Sequence, residues 1–314
     1  MIIELDQYDK YFHLRKLLQI PDCPERLYVE GNVTLLNNKD YKILCVIGSR
    51  KNTSYGRDAV EYLLRDIANE KIIILSGLAL GIDGIAHKEA LKNSLPTIAI
   101  PGSGLGRDIL HPQTNAKLAD DIVAQGGLLI SEYENNFKAT IWSFPKRNRI
   151  EAALSDAILI IESEAKSGTQ ITARMALEYN KNIGVLPGSI FSPMSVGTIK
   201  LWHEGAMPVC DAIDIKELLN IKDAENLLDF VIDKNGKSVT ASSTKYIALA
   251  ENYDNYNDLN DEEKKMMNIL MEPMGKERLM NESGLDFTTA LVTLVTLEGK
   301  GYIKEEWGEV RKVR

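Results

Sequence analysis

The chain has 314 residues, 44% hydrophobic and 26% charged, with 22 Gly and 10 Pro, proportions that exclude collagen-like and wholly disordered readings. Its three cysteines, Cys23, Cys45 and Cys210, form no CxxC or Cys/His cluster, which argues against a zinc site or a secreted disulfide framework and for a reducing compartment. The net charge of −8 lies mostly outside residues 41–220, where 19 Lys and Arg stand against 20 Asp and Glu. A nearly neutral region still presents a basic face where the local field is positive, so acidity alone does not exclude nucleic acid. The opening MIIELDQYDKYFHLRK lacks the apolar stretch of a signal peptide. No run approaches the roughly 18 apolar residues that cross a bilayer, so a cytoplasmic protein with no membrane partner is expected.

In chain order, residues 1–40 read as a short N-terminal extension in which Pro21 and Pro24 forbid a long helix. Over residues 41–220, apolar β-branched runs recur at 42–48, 71–77, 96–102, 126–131, 156–162 and 182–188. Helical patterns lie between them at 56–70, 84–93 and 172–180. Short continuous apolar strands alternating with amphipathic helices predict an extended Rossmann-like α/β fold, a doubly wound parallel sheet covered on both faces. Residues 221–257 read as a linker, ending in the polar ENYDNYNDLN region. Residues 258–314 predict three helices, the second ended by Gly284 and the third by Gly299 or Gly301, then a hairpin around Gly308, the order of a small winged-helix domain.

The candidate chemistry sits where the strands end. The first ends Gly48-Ser49-Arg50: no GxGxxG, hence no dinucleotide cradle, but a tight turn, a hydroxyl and a guanidinium able to fork onto phosphate. The second ends Ser76-Gly77, and Gly77, Gly81 and Gly84 let backbone N–H groups approach an anion. Asp83 is placed to cap the helix that follows, and His87, four positions on, is within reach of it. The third ends at Gly102, with Asn115 opening the next helix. The segment 140–155 carries Lys146, Arg147 and Arg149 beside Trp142 and Phe144, and cations interleaved with aromatics suit an unpaired strand. Lys166-Ser167-Gly168-Thr169 resembles the tail of a Walker loop without its upstream glycines, which leaves a one-phosphate site and no cofactor cradle. A hydrolase has only Glu132 and Glu162 at strand ends to draw on.

Together the motifs IGSRKNTSYG (47–56), SGLALGIDGIAHKEAL (76–91), FPKRNRI (144–150), KSGTQITA (166–173) and VLPGSI (185–190) resemble those of the DNA-processing protein A family (DprA/Smf), in the same order and over roughly residues 25–220. The resemblance implies a non-enzymatic Rossmann-type protein that binds single-stranded DNA, dimerises, protects incoming DNA in natural transformation and helps load the RecA recombinase. By motif, it implies strand contacts at Arg50, Phe144, Lys146, Arg147, Arg149 and Lys166, with Gly48, Gly77, Gly81, Gly102 and Gly168 shaping the pocket. Ser49, Ser76, Asn115, Ser167 and Thr169 complete the nucleic-acid set. Glu151, directly after FPKRNRI, adds an acidic group beside this path. The C-terminal unit resembles the winged helix that many members append, but its third helix is nearly free of cations, so a protein contact is expected there rather than duplex reading. Two alternatives stand: a nucleotide-processing phosphoribohydrolase, against which Gln170 and Thr172 occupy the place of a catalytic Glu, and a small-nucleotide sensor.

Overall fold

The structure, a computed structural model, describes residues 1–221, 259–270, 272–306 and 308–312 and two short strands at 231–232 and 238–239. The chain divides into two units, Met1–Leu227 and Leu228–Arg314.

The first unit is built on β1 (Ile2–Glu4), β2 (Arg26–Gly31), β3 (Lys42–Ile47), β4 (Ile72–Ser76), β5 (Thr97–Ala99), β6 (Leu128–Ser131), β7 (Ala157–Ile160), β8 (Asn182–Val185) and β9 (Met207–Pro208). They form one sheet in the order β1-β2-β6-β5-β4-β3-β7-β8-β9. From β6 to β9 every pairing is parallel, so the expected doubly wound sheet is present. Buried on both faces, β4 reads IIILS without a polar alternation, the pattern of a covered central strand. Helices α1 (Ser54–Asp66), α2 (Ile82–Lys92), α3 (Ala116–Ala124), α4 (Ser143–Leu154), α5 (Gly168–Glu178), α6 (Val196–His203) and α7 (Ala212–Leu218) follow in chain order. From β3 the chain winds out through β4 and β5, then crosses to β7 on the other side of β3. The order therefore reverses between β3 and β7, where an open α/β sheet leaves a crevice at its C-terminal edge.

Residues 1–40 are not an appendage. β2 pairs antiparallel with β6, Tyr28 opposite Ser131, and β1 pairs with β2. Leu27 and Val29 alternate inward from β2, and Leu14 and Leu17, on a short helical turn, join the same core as β3 and β7. The apolar residues of this segment are too few for a core of their own and are buried by completing the sheet's edge. The expected linker lies outside the described residues, apart from Ile221 and the strands β10 (Val231–Ile232) and β11 (Ser238–Val239).

The second unit holds helices Asp261–Ile269, Lys276–Ser283 and Phe287–Gly299 and strands β12 (Met274–Gly275), β13 (Ile303–Glu306) and β14 (Glu309–Lys312), paired antiparallel in the order β12-β14-β13. Asn260 and Glu263 cap the first helix reciprocally, Gly284 ends the second with φ +61°, and Asp286 caps the third. Its core draws only on residues between Leu259 and Val310.

Candidate nucleic-acid interface

The loops after β3 and β7 are tied together before any ligand is considered. Thr53 caps α1, its hydroxyl accepting the Gly56 N–H at 3.2 Å. The same hydroxyl donates to Glu162 Oε1 at 2.5 Å, and the Thr53 N–H donates to Glu162 Oε2 at 2.8 Å. Glu162, one of the two strand-end carboxylates, is thus buried as an anchor for the start of α1. Gly81 closes the other side: its φ is +77°, and a Cβ there would collide with Ser49 O and the Arg50 backbone. The Ile82 N–H then donates to Ser49 O at 3.2 Å, and Ser49 Oγ accepts the Lys51 N–H at 3.0 Å. These bonds leave Arg50 exposed at the turn's tip, its guanidinium over the Phe144 ring at 5.0 Å from the centroid.

Across the crevice, Ser167 is the N-cap of α5, with Gly168 and Thr169 in the first turn and exposed Lys166 just before it. Ser163 Oγ lies 2.9 Å from Ser167 Oγ and accepts from Gln170 Nε2 at 3.0 Å, so Gln170 braces this turn. The free N–H groups of an eleven-residue helix and an adjacent ammonium suit an anion.

A cavity of about 520 Å³ lies between these elements. Of the residues selected from sequence, Gly48, Ser49, Arg50, Phe144, Arg147, Lys166, Ser167, Gly168 and Thr169 line it. Arg50 and Lys166 enter no ion pair among the described residues. Lys51, Asp83, Asn148 and Glu151 line it as well and were not assigned to the path. Lys51, Asp83 and Asn148 lie within the motifs 47–56, 76–91 and 144–150, and Glu151 directly follows the last of these, which is how the sequence signals them.

For two of the selected arginines the expectation needs correcting: both are enclosed, Arg147 on the lining of this cavity and Arg149 away from it, and the remaining selected residues lie elsewhere. Arg147 is only 5% exposed: Nη1 donates to Gly77 O at 2.6 Å and to Ile100 O, Nε donates to Asn148 Oδ1 at 3.1 Å, and Glu151 lies 3.4 Å away. Arg149, 3% exposed, pairs with Asp22 at 2.8 Å and Glu132 at 2.5 Å. Helix α4 is packed against α5, β3 and the Leu14–Gln19 turn, so guanidiniums that look like a free basic run are enclosed and bonded to the protein itself. Ser76 donates to Val46 O at 2.6 Å inside the sheet, and Asn115 donates to Leu78 O at 2.9 Å and Ala79 O at 3.0 Å, bracing the β4–α2 loop. Gly77 makes room for the Arg147 guanidinium and Gly102 for the Phe144 ring. Lys146 is exposed but opens on a different cavity of about 780 Å³, shared with Lys138, Arg26 and four carboxylates, and it lies 3.6 Å from Glu132. Trp142 borders that side, edge-on to Phe137 at 5.7 Å.

Beneath Arg50 and Phe144 the first cavity has a charged floor. Burial pushes the Asp83 carboxyl up despite the opposing Arg147 guanidinium. Burial pushes Glu151 up to about 8, again against Arg147, with Asp83 adding to the rise. His87 does not pair with Asp83; its Nδ1 lies 2.7 Å from Thr97 Oγ1, and burial pushes it down to about 3. Among the described residues no group of His, Cys, Asp or Glu is arranged to hold a metal.

Residues 3–220 match the family of DNA recombination-mediator protein A. The chain belongs to that family. It is 38% identical over 211 residues to Protein Smf of Escherichia coli, covering 67% of this chain and 55% of that one. It is 38% identical over 203 residues to the DNA processing protein DprA of Bacillus subtilis, covering 65% and 67%. The DprA structure from Streptococcus pneumoniae superposes with a TM-score of 0.64 at 34% identity, over 69% of this chain and 73% of that one. A DprA structure from Helicobacter pylori, described for its single-stranded DNA binding mode, superposes with a TM-score of 0.59 at 34% identity over 66% and 92%. The family match covers the first unit and stops short of the second.

Proposed function

We propose that this recombination-mediator family member binds single-stranded DNA at the cavity between Arg50, Phe144 and the start of α5, without catalysing a reaction on it. The observation that carries this reading is the pairing of two exposed cations, Arg50 and Lys166, with an aromatic wall on one cavity at the sheet's switch point. Phosphates answer the cations and the α5 N-terminus, and an unpaired base answers the ring. As a homodimer, two such sites engage one strand and multiply its affinity. A mediator that holds unpaired DNA in this way protects it and presents it to RecA, as natural transformation requires.

The C-terminal unit we read as a winged helix that contacts protein, because Phe287, Val292 and Val295 stand exposed on the helix where a duplex reader carries cations.

A nucleotide hydrolase draws on one feature of the same cavity, the raised Glu151 carboxyl in its floor. Release of free base from nucleoside monophosphates tests it, and none is expected.

The deciding experiment is a pair of anisotropy titrations, oligo(dT) against duplex of equal length, at two salt concentrations. The single strand is expected to bind more tightly. Arg50→Ala with Lys166→Ala should weaken it and flatten the plot of log K against log salt by roughly 0.7 per lost phosphate contact. Unchanged affinity and slope in the double variant would remove this cavity from the path.

A further inference from the structure

We propose that Trp142 is a stacking platform for the strand, taking an unpaired base just outside the crevice. This rests on the reading of the crevice as the strand's binding place and deepens it, because it assigns an exposed side chain that the cavity lining does not include and carries the path past the crevice rim.

Residues 140–143 form a turn closed by the Ser143 N–H, which donates to Thr140 O at 3.1 Å, so Ile141 and Trp142 are its two central residues. The turn is held at both ends. The buried Ser143 hydroxyl donates to Gly102 O at 2.6 Å and accepts the Thr140 N–H at 3.0 Å. Gly102 is also the residue whose missing side chain admits the Phe144 ring, so the turn and the crevice wall share one anchor. Central turn positions ordinarily hold glycine, proline or short polar side chains. Here they hold an isoleucine 92% exposed and a tryptophan 55% exposed, apolar surface that the fold fixes in place without burying. The indole is oriented rather than enclosed: it stands edge-on to Phe137 at 5.7 Å and to Tyr133 at 6.0 Å, rings that stack on each other at 4.1 Å.

Position and charge select the occupant. The segment 137–146 runs between two cavities: Ile141, Phe144 and Pro145 line the crevice, while Phe137, Lys138 and Lys146 line its neighbour. Ile141 thus joins the crevice wall to the indole, and exposed Lys138 and Lys146, four positions to either side of Trp142, supply charge for phosphates. The neighbouring cavity sets Arg26, Lys138 and Lys146 against Asp22, Glu25, Glu132 and Glu134, so its interior does not draw a polyanion and the path ends on the rim. The Phe144 ring is shared with the Arg50 guanidinium, whereas among the described residues no cation lies over Trp142, so a base stacks there without displacing one. Every base has a π-face, and this contact therefore grips unpaired strand without choosing its sequence.

The test titrates oligo(dT) into the full chain and follows both affinity and tryptophan emission, which a stacked base quenches. Quenching is expected in the unaltered protein and should vanish in Trp142→Phe, which keeps Trp202 and Trp307. Trp142→Ala should bind oligo(dT) about tenfold more weakly, and Trp142→Phe within about threefold of the unaltered protein. The slope of log K against log salt should stay the same in both, because the indole carries no charge. Unchanged affinity in Trp142→Ala overturns the inference, and so does a quench that persists in Trp142→Phe. A flattened salt slope in Trp142→Ala also overturns it, since the turn would then serve only to hold the lysines. Loss of a dimer in sedimentation of Trp142→Ala would assign the turn to contact between copies and overturn it likewise. Absence of binding by the unaltered protein overturns the strand-binding reading itself, which separates the two failures.

Discussion

Arg50 and Arg147 line one cavity, yet only Arg50 keeps its guanidinium in solvent, and that difference divides binding from stability. Arg147 balances Asp83 and Glu151, carboxyls that burial drives toward their protonated forms. The sign of the resulting pH dependence follows directly. Glu151 in the folded protein holds its proton up to about 8, whereas its ordinary value is 4.5. Between these values the native state binds the proton and the unfolded chain does not, so its contribution is fully present below the lower value and is lost as pH rises through the upper one. Urea unfolding at several pH values should show stability falling across this window. Glu151→Gln, which cannot ionise, should show a shallower fall, and an identical profile in both proteins would assign the proton elsewhere.

Helix α1 starts where it does because a side chain from another loop holds it. Thr53 alone is an adequate N-cap, but the buried Glu162 carboxylate takes both its hydroxyl and its amide. Glu162→Gln replaces one accepting oxygen by a donor facing Thr53. It is expected to lower stability by roughly 1–3 kcal/mol, read as a lower urea midpoint at unchanged slope. An unshifted midpoint would show that water or the backbone replaces the bond. The same element scale explains what periodicity could not read: α4 is buried from Arg147 to Leu154, so its two arginines report on packing rather than on a solvated face, while Lys146 before them stays exposed. Helix α5 is the opposite case, its capping Ser167 and preceding Lys166 sitting at the crevice mouth as their order in the sequence suggests.

At the scale of the whole molecule, the hydrophobic clusters formed by the described residues are separate: three draw on residues up to Ile221 and the fourth on residues from Leu259 onward. Separate cores unfold as separate cooperative units, so calorimetry should resolve two transitions. A single two-state endotherm would show the units to be energetically coupled. The sequence by itself determined the alternation of strands and helices, the winding of the parallel sheet, the motif order that places the chain in its family, and the three helices and hairpin of the second unit. These are written in local periodicity, caps and turn glycines, which act within a few residues. It did not determine that residues 1–40 complete the sheet, nor which cations are free. Arg149 is claimed by Asp22, 127 positions away, and Arg147 by the carbonyls of Gly77 and Ile100, while among the described residues Arg50 and Lys166 enter no ion pair and Arg50 only overlies the Phe144 ring. Whether a guanidinium meets a phosphate or a carbonyl depends on what the folded chain brings beside it, and only the tertiary structure decides that.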